Sequence, residues 1–335
     1  MTTSRTILVA IFSRFPAWNI PDANVETLRE QFPQHTFLHV CNTDEAVESI
    51  QAADIVFTAY LRRNVLTAAR KLRWIHSPAA GLEGVLFPEI VESPVVVTNS
   101  RGLSADTIAE HVVAVVLAVF RKLPHAFEAQ RSREWSQTSL VADAPIRTIA
   151  GSRVLIVGLG AIGLATASRM ISLSAHVDAV RRRPDLPRPP GVERVVSPEH
   201  LTDLLPSADV IVLAAPETPG TRHLIGSREL AAMRSGSILV NVSRGALVDE
   251  DALARALTRA PIERSIAAAA LDVFEREPLP ADSPLWTLPN VLITPHVAGF
   301  RPDHWDAVTA LFADNLRRFD NGQPLLNIVD KREGY

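Results

Sequence analysis

Apolar residues fall in short runs separated by stretches with helical spacing. TILVAIF (6–12) is a β-branched run of the kind that forms a strand covered on both faces. ANVETLREQF (23–32) has the spacing of a helix, and TFLHV (36–40) is a second short strand. TDEAVESIQAA (43–53) predicts a helix with acids in its first turn, where the helix dipole favours them. DIVFTAY (54–60) is a third strand, and LTAARKLRWIHSPAAG (66–81) is a helix running into a strand and a glycine turn. VVVTNS adds a strand before SADTIAEHVVAVVLAVFRKL (104–123), a long helix so apolar around its circumference that it is expected to be buried, between domains or subunits.

After a looser, charged stretch holding Trp135, a second alternation begins at Val154. VLIVGLG, VDAV, DVIVLAAP, SILVNVS, SIAAAALDVF and NVLITPH read as strands of a larger parallel sheet, with helices such as EDALARALTRA (250–260) between them. WDAVTALFADNLRRFDNG (305–322) closes the chain as a helix with Gly322 as its C-terminal cap. Two runs of strand–helix alternation predict an α/β protein with crossover helices on parallel sheets.

Composition changes this picture only at its edges. A length of 335 residues suits about two domains. A formal net charge of -3 gives no global attraction to nucleic acid or an anionic membrane, so neither is expected as a partner and any basic site is local. A single cysteine, Cys41, excludes an internal disulfide and a cysteine-based metal cluster, and no metal is expected. The apolar run VVAVVLAVF (112–120) is far short of the roughly 20 residues that span a bilayer. The N-terminus reads as a first strand and not as a secretion signal, so a cytoplasmic protein is expected.

VLIVGLGAIG places Gly158, Gly160 and Gly163 directly after a strand and before a helix. In that context the spacing is a dinucleotide-binding turn. Gly158 permits the tight turn, Gly160 lets a pyrophosphate approach the backbone, and Gly163 lets helix and sheet pack closely. The amides of the helix start, at Ala161 and Ile162, face the phosphates with the positive end of the dipole.

Three later segments carry candidate chemistry: NVSRGALVDE with Arg244, LDVFEREPL with Asp272, Glu275 and Glu277, and TPHVAG with His296. Together with LRWIHSPAAGLEGV, IAEHVVAVVLA, GLGAIG and TPGTRHLI, in this order, they resemble the D-isomer-specific 2-hydroxyacid dehydrogenase family, its glyoxylate and hydroxypyruvate reductases in particular. The resemblance covers roughly residues 70–300. It implies two Rossmann-like domains with parallel sheets: a discontinuous, flavodoxin-like substrate domain (1–100 and 296–335) and an inserted dinucleotide-binding domain (101–295), with nicotinamide and substrate in the cleft between them.

The chemistry fits those residue types. Reducing a 2-keto acid needs a hydride at the carbonyl carbon and a proton at its oxygen, and a histidine titrates near the required pH. His296 is the candidate acid, Glu277 rather than Glu275 its partner by resemblance, and Arg244 the fork that holds the substrate carboxylate. The resemblance also implies that the Ala80 and Gly81 amides bind that carboxylate. It further implies that Ala215, Pro216, Val242 and Ser243 lie along the cofactor, and that Asp272 accepts a bond from the nicotinamide carboxamide. His111 is assigned to helix packing, and Trp135, Trp286 and Trp305 to packing or a pocket wall. Phe300 and Arg301 stand where the family often has small or hydroxyl residues, which bears on pocket shape.

In the dinucleotide fold an acid about 20 residues past the glycines bonds the adenosine ribose. Here Arg181 lies 18 positions past Gly163, followed by Arg182 and Arg183, while Asp178 falls inside the strand and Asp185 beyond Pro184. Arginines there suit the 2′-phosphate of NADP(H), which is the expected cofactor, with NAD(H) as the alternative. A homodimer is expected from the apolar 109–120 segment and the family. Two other readings are a phosphoglycerate dehydrogenase, with Arg62 and Arg63 for the phosphate, and a nucleotide-sensing protein-binding module of the same family.

Overall fold

The computed structural model describes residues 4–142, 145–258 and 266–334. The chain divides into two compact units, Met1–Leu103 with Arg301–Tyr335, and Ser104–Phe300.

In the first unit the chain alternates β1 (Thr6–Ala10), α1 (Asp22–Gln31), β2 (Thr36–His39), α2 (Thr43–Ser49), β3 (Ile55–Thr58), α3 (Arg63–Ala68), β4 (Trp74–Ser77), α4 (Pro88–Val91) and β5 (Val96–Asn99). Its strands lie in the order β2-β1-β3-β4-β5, all parallel, which is the flavodoxin-like arrangement. Central strands of such a sheet are covered on both sides, so Ile7, Leu8 and Val9 are all fully buried. Leu8, Val56, Ile75 and Val97 point to one layer, and Ile7, Val9, Phe57 and Trp74 to the other. The helix predicted over 43–53 closes at Ser49, and the following turn seals Ile50 and Ala53 into the core.

The second unit holds α5 (Ala105–Phe120), α6 (Leu123–Arg131), α7 (Gln137–Ala142), β6 (Arg153–Val157), α8 (Ala161–Ser172), β7 (His176–Val180), β8 (Val192–Val196), α9 (Leu201–Leu204), β9 (Val210–Leu213), α10 (Ser227–Ala232), β10 (Ser237–Asn241), α11 (Glu250–Thr258), β11 (Ile266–Leu271) and β12 (Val291–Ile293). Residues 259 and 260 of the predicted 250–260 helix lie outside the described residues. The sheet runs β12-β11-β10-β9-β6-β7-β8 with every pair parallel. The apolar runs predict all of these strands but β8. That edge strand, VERVV, exposes Glu193 and Arg194 and therefore lacks the continuous apolar signature.

Helix α5 packs against α8, and Ala105, Ala109, Val112, Val115, Val116 and Phe120 are its buried residues. Within this chain Asp106, Glu110 and Ala114 of α5 are exposed. Trp135 is likewise no packing residue of this chain, being 89% exposed. Trp286 is half-exposed with its indole N–H on the Pro280 carbonyl.

The chain then returns to the first unit as α12 (His304–Asp320), where Gly322 takes a φ of +65° just past its end. Phe312 stacks on Phe57 at 4.3 Å and on Trp74 at 5.3 Å, closing the second layer. The tail runs antiparallel beside β5, with the Val329 amide on the Val97 carbonyl at 2.9 Å. Among the described residues no helix is long and apolar enough to cross a membrane.

Candidate active site

The residues singled out in the second unit gather at the carboxyl edge of its sheet. Gly158 follows β6, Arg181 follows β7, Ala215 and Pro216 lie just past β9, Val242 follows β10, Asp272 follows β11, and His296 lies just past β12. Strand β6 sits between β7 and β9, where the strand order reverses, and open parallel sheets bind ligands at such a point.

The three glycines have distinct geometric reasons. Gly158 takes a φ of +100°, and a Cβ there would lie 2.5 Å from the Ala215 amide nitrogen. At Gly163 a Cβ would stand 2.0 Å from the Gly158 carbonyl oxygen. At Gly160, among the described residues, nothing lies within 4 Å of where a Cβ would be, so the backbone there is open to a ligand. The first turn of α8, from Ala161 through Gly163, presents amides that a helix start leaves without helical acceptors. This glycine turn and helix N-terminus fit a pyrophosphate.

Asp178 does not serve as a ribose acid. It is buried in β7 and receives Arg194 Nη2 at 2.7 Å and Arg153 Nη1 at 3.0 Å. Burial pushes its pKa up, and the two arginine bonds outweigh that and hold it below the usual range. Beyond the strand, the Arg181 guanidinium turns back onto the Leu186 and Pro187 carbonyls, while Arg182 and Arg183 are exposed.

His296 and Glu277 form the polar centre. His296 Nδ1 lies 2.7 Å from Glu277 Oε2, and the two side chains are 48% and 36% exposed. Glu277 Oε1 accepts the Phe274 amide at 3.0 Å, which orients its carboxylate. The bond to Glu277 raises the His296 pKa above its usual value, against the opposing effects of burial and of Arg244. Burial pushes Glu277 up, but the bonds from His296 and Phe274 leave it below the usual carboxylate range. His296 has a φ of +54°, held by its amide bond to the Asp272 carbonyl at 2.8 Å. The Asp272 carboxylate accepts Thr294 Oγ1 at 2.6 Å and the amides of Val297 and Ala298 at 2.9 and 3.0 Å. Asp272 is thus a buried brace for the turn that carries His296, and among the described residues three donors reach a carboxylate that can accept about four. His111 reaches the same network, Nε2 to Thr294 Oγ1 at 3.2 Å, from its packing position on α5. Glu275 faces elsewhere and pairs with His223 at 2.9 Å.

Arg244 acts electrostatically on both members of the pair. Its loop is shaped by Asn241, a buried residue that the apolar pattern does not mark. The Asn241 side chain donates to the Arg244 carbonyl at 2.8 Å and accepts the Ser243 amide and hydroxyl at 3.2 and 3.1 Å. The only sequence signal for it is an amide side chain ending an otherwise apolar strand. Gly245 comes so close to the Phe274–Glu275 backbone that a Cβ would lie 1.8 Å from the Phe274 carbonyl carbon. Gly245→Ala is therefore expected to cost about 1–3 kcal/mol of stability and to lower kcat/KM by moving Arg244 and Glu277 apart. Thermal unfolding and steady-state kinetics check this; a variant equal to the parent in both overturns it.

In the first unit, Arg63 pairs with Glu89 at 3.4 Å and Arg62 is exposed. Arg301 is engaged by the Leu103 carbonyl at 2.7 Å and by Asp303, and Phe300 is exposed.

A dinucleotide turn beside a histidine–carboxylate pair and an arginine, all on one parallel sheet edge, defines a nicotinamide-dependent oxidoreductase. The model of the D-isomer specific 2-hydroxyacid dehydrogenase NAD binding domain matches residues 113–298. A glyoxylate reductase of Korarchaeum cryptofilum is 34% identical over 294 residues, covering 86% of this chain and 85% of that protein. A D-3-phosphoglycerate dehydrogenase of Methanocaldococcus jannaschii is 32% identical across 86% of this chain but only 53% of its own length. A solved D-isomer specific 2-hydroxyacid dehydrogenase from Xanthobacter autotrophicus, in complex with NADPH and MES, is 29% identical with a TM-score of 0.81, covering 99% of this chain and 100% of that one. The chain belongs to the D-isomer specific 2-hydroxyacid dehydrogenase family, and it is an NAD(P)-dependent enzyme with the two Rossmann-like folds of that family.

Proposed function

We propose that the enzyme reduces a small 2-keto acid, glyoxylate or hydroxypyruvate, to the D-2-hydroxy acid with NADPH. The observation that carries this reading is the 2.7 Å His296–Glu277 bond on the same sheet edge as the glycine turn and the Arg244 loop. Bound NADPH supplies the hydride for the carbonyl carbon. His296 gives its Nε2 proton to the carbonyl oxygen, because Nδ1–H is committed to Glu277. Arg244 takes the substrate carboxylate on its planar fork, and the Ala80 and Gly81 amides are assigned to carboxylate binding. Asp272 takes the carboxamide on its spare lone pair, and Ala215, Pro216, Val242 and Ser243 line the cofactor. The test follows absorbance of reduced cofactor with glyoxylate, hydroxypyruvate, 3-phosphohydroxypyruvate and larger keto acids. No turnover with any of them, together with tight cofactor binding, replaces this reading by a nucleotide-sensing binding module.

The preference for NADPH rests on charge. The buried Asp178 leaves the end of β7 without a ribose acid, and Arg181, Arg182 and Arg183 occupy that place. Arg181, expected with Arg182 to be the first contact of the 2′-phosphate, has its guanidinium on the loop carbonyls, so the contact is assigned to Arg182 with Arg183 beside it. NADPH is expected to give a kcat/KM at least about tenfold above NADH, one charge-assisted bond being worth that much. Arg182→Asp with Arg183→Asp should reverse the order. A parent that uses NADH better overturns the preference, and a preference surviving loss of all three arginines overturns its mechanism.

The same reading makes the protein a cytoplasmic homodimer. Phe127, Trp135 and Val141 are 59%, 89% and 58% exposed on one stretch of chain, which suits cover by a second copy. A monomeric mass in light scattering would remove the dimer.

A further inference from the structure

In the first unit, two consecutive carbonyls after β4 are tied inward. The Ser100 amide donates to the Ala79 carbonyl at 3.2 Å, and Asn99 Nδ2 donates to the Ala80 carbonyl at 2.7 Å. A trans peptide is planar, with its C=O and the following N–H pointing in opposite directions. Fixing the Ala79 and Ala80 carbonyls inward therefore turns the Ala80 and Gly81 N–H groups outward. Among the described residues neither of these amides donates a hydrogen bond within the protein, and Ala79 and Ala80 are exposed. We infer that Asn99 is a positioning residue for substrate: its side-chain amide sets the 80–81 peptide so that the Ala80 and Gly81 amides form a two-pronged carboxylate receptor. This rests on the assignment of that turn to the substrate carboxylate.

The support behind Asn99 is rigid. It faces Ser77 across the β4–β5 ladder, which brings it level with the turn. Its backbone is clamped by the tail: the Asn99 amide donates to the Asn327 carbonyl at 3.3 Å, and Asn327 Nδ2 donates to the Asn99 carbonyl at 3.0 Å. Its side chain is buried, and the Ala80 carbonyl accepts only, so Nδ2 must be the atom that faces it. Ser100 is held by a second chain of bonds. Trp74 Nε1 donates to Thr98 Oγ1 at 2.8 Å, so the single hydroxyl proton of Thr98 goes to His76 Nδ1 at 2.7 Å. Burial pushes His76 down to about 3, so it is neutral and carries its proton on Nε2, facing Ser100 Oγ at 3.4 Å. Ser100 Oγ in turn donates to the Ser77 carbonyl at 3.0 Å.

The test is Asn99→Asp, which keeps the shape and removes the donor, with Asn99→Ala as the second variant. KM for the keto acid is expected to rise about tenfold or more, the worth of a bond to a charged group. The kcat and the KM for NADPH should stay within about twofold, a split that a general loss of packing does not produce. In Asn99→Asp, but not in Asn99→Ala, KM should recover as pH falls and the carboxyl regains a proton to donate. Ala80→Pro and Gly81→Pro each delete one outward amide and separate the two ideas. If neither raises the keto-acid KM, the turn is not the carboxylate site. If either raises it while both Asn99 variants keep the parent KM, the turn binds substrate and Asn99 does not position it.

Discussion

Replacing His296 with alanine is expected to lower kcat for keto-acid reduction by about 10²–10⁴-fold, with cofactor affinity nearly unchanged. The imidazole is the group placed to deliver a proton, and it stands on a turn separate from the glycines that receive the dinucleotide. Reduction needs His296 protonated. Its bond to Glu277 raises its pKa, so activity is fully present on the acid side and is lost as pH rises through that raised value. Glu277→Gln removes the negative partner while keeping a hydrogen-bond acceptor, so the alkaline limb of kcat/KM should move to lower pH. The acid side should change little, because both forms are protonated there. A limb that stays in place in Glu277→Gln removes Glu277 from the proton step. Retention of parent kcat in His296→Ala assigns the proton to another group.

The strands were legible wherever burial on both faces turns a strand into a continuous apolar run, as in TILVA and RVLIV. Strand β8 was not, because Glu193 and Arg194 face solvent at a sheet edge. Spacing revealed the dinucleotide turn because its three glycines fall within ten residues between a strand and a helix, although the backbone that Gly158 must avoid belongs to Ala214 and Ala215. The constraint on Gly245 was hidden, since the backbone it would strike belongs to Phe274 and Glu275, brought close only by the parallel pairing of β10 and β11. Asn99 was hidden for the same reason: nothing in NSRG announces a bond to a carbonyl nineteen residues earlier. Asp272 was legible as a polar residue at a strand end, but its bonds to residues 294, 297 and 298 require the fold. At Trp135 aromatic size argues for cover, and the single chain leaves it exposed.

Arg244→Lys is expected to lower kcat/KM for the keto acid roughly a hundredfold, equivalent to losing one or two charge-assisted hydrogen bonds. The change keeps the charge, so a role as a general positive field would survive it. What it removes is the planar fork. Arg244 Nη1 donates to the Ser243 carbonyl at 2.7 Å, which fixes the plane of the guanidinium above its own loop. Asn241 holds the Arg244 carbonyl, and Gly245 allows the loop to lie against residue 274, so the root of the side chain is fixed as well. A lysine ammonium is a single strongly hydrated centre. It cannot keep the Ser243 carbonyl and also offer two parallel N–H bonds to a carboxylate. The loss should fall on the keto acid, while the KM for NADPH stays near the parent value. It should be smaller for Arg244→Lys than for Arg244→Gln, which gives up the charge as well. If Arg244→Lys matches the parent, Arg244 serves His296 and Glu277 through its charge alone and is not the carboxylate anchor.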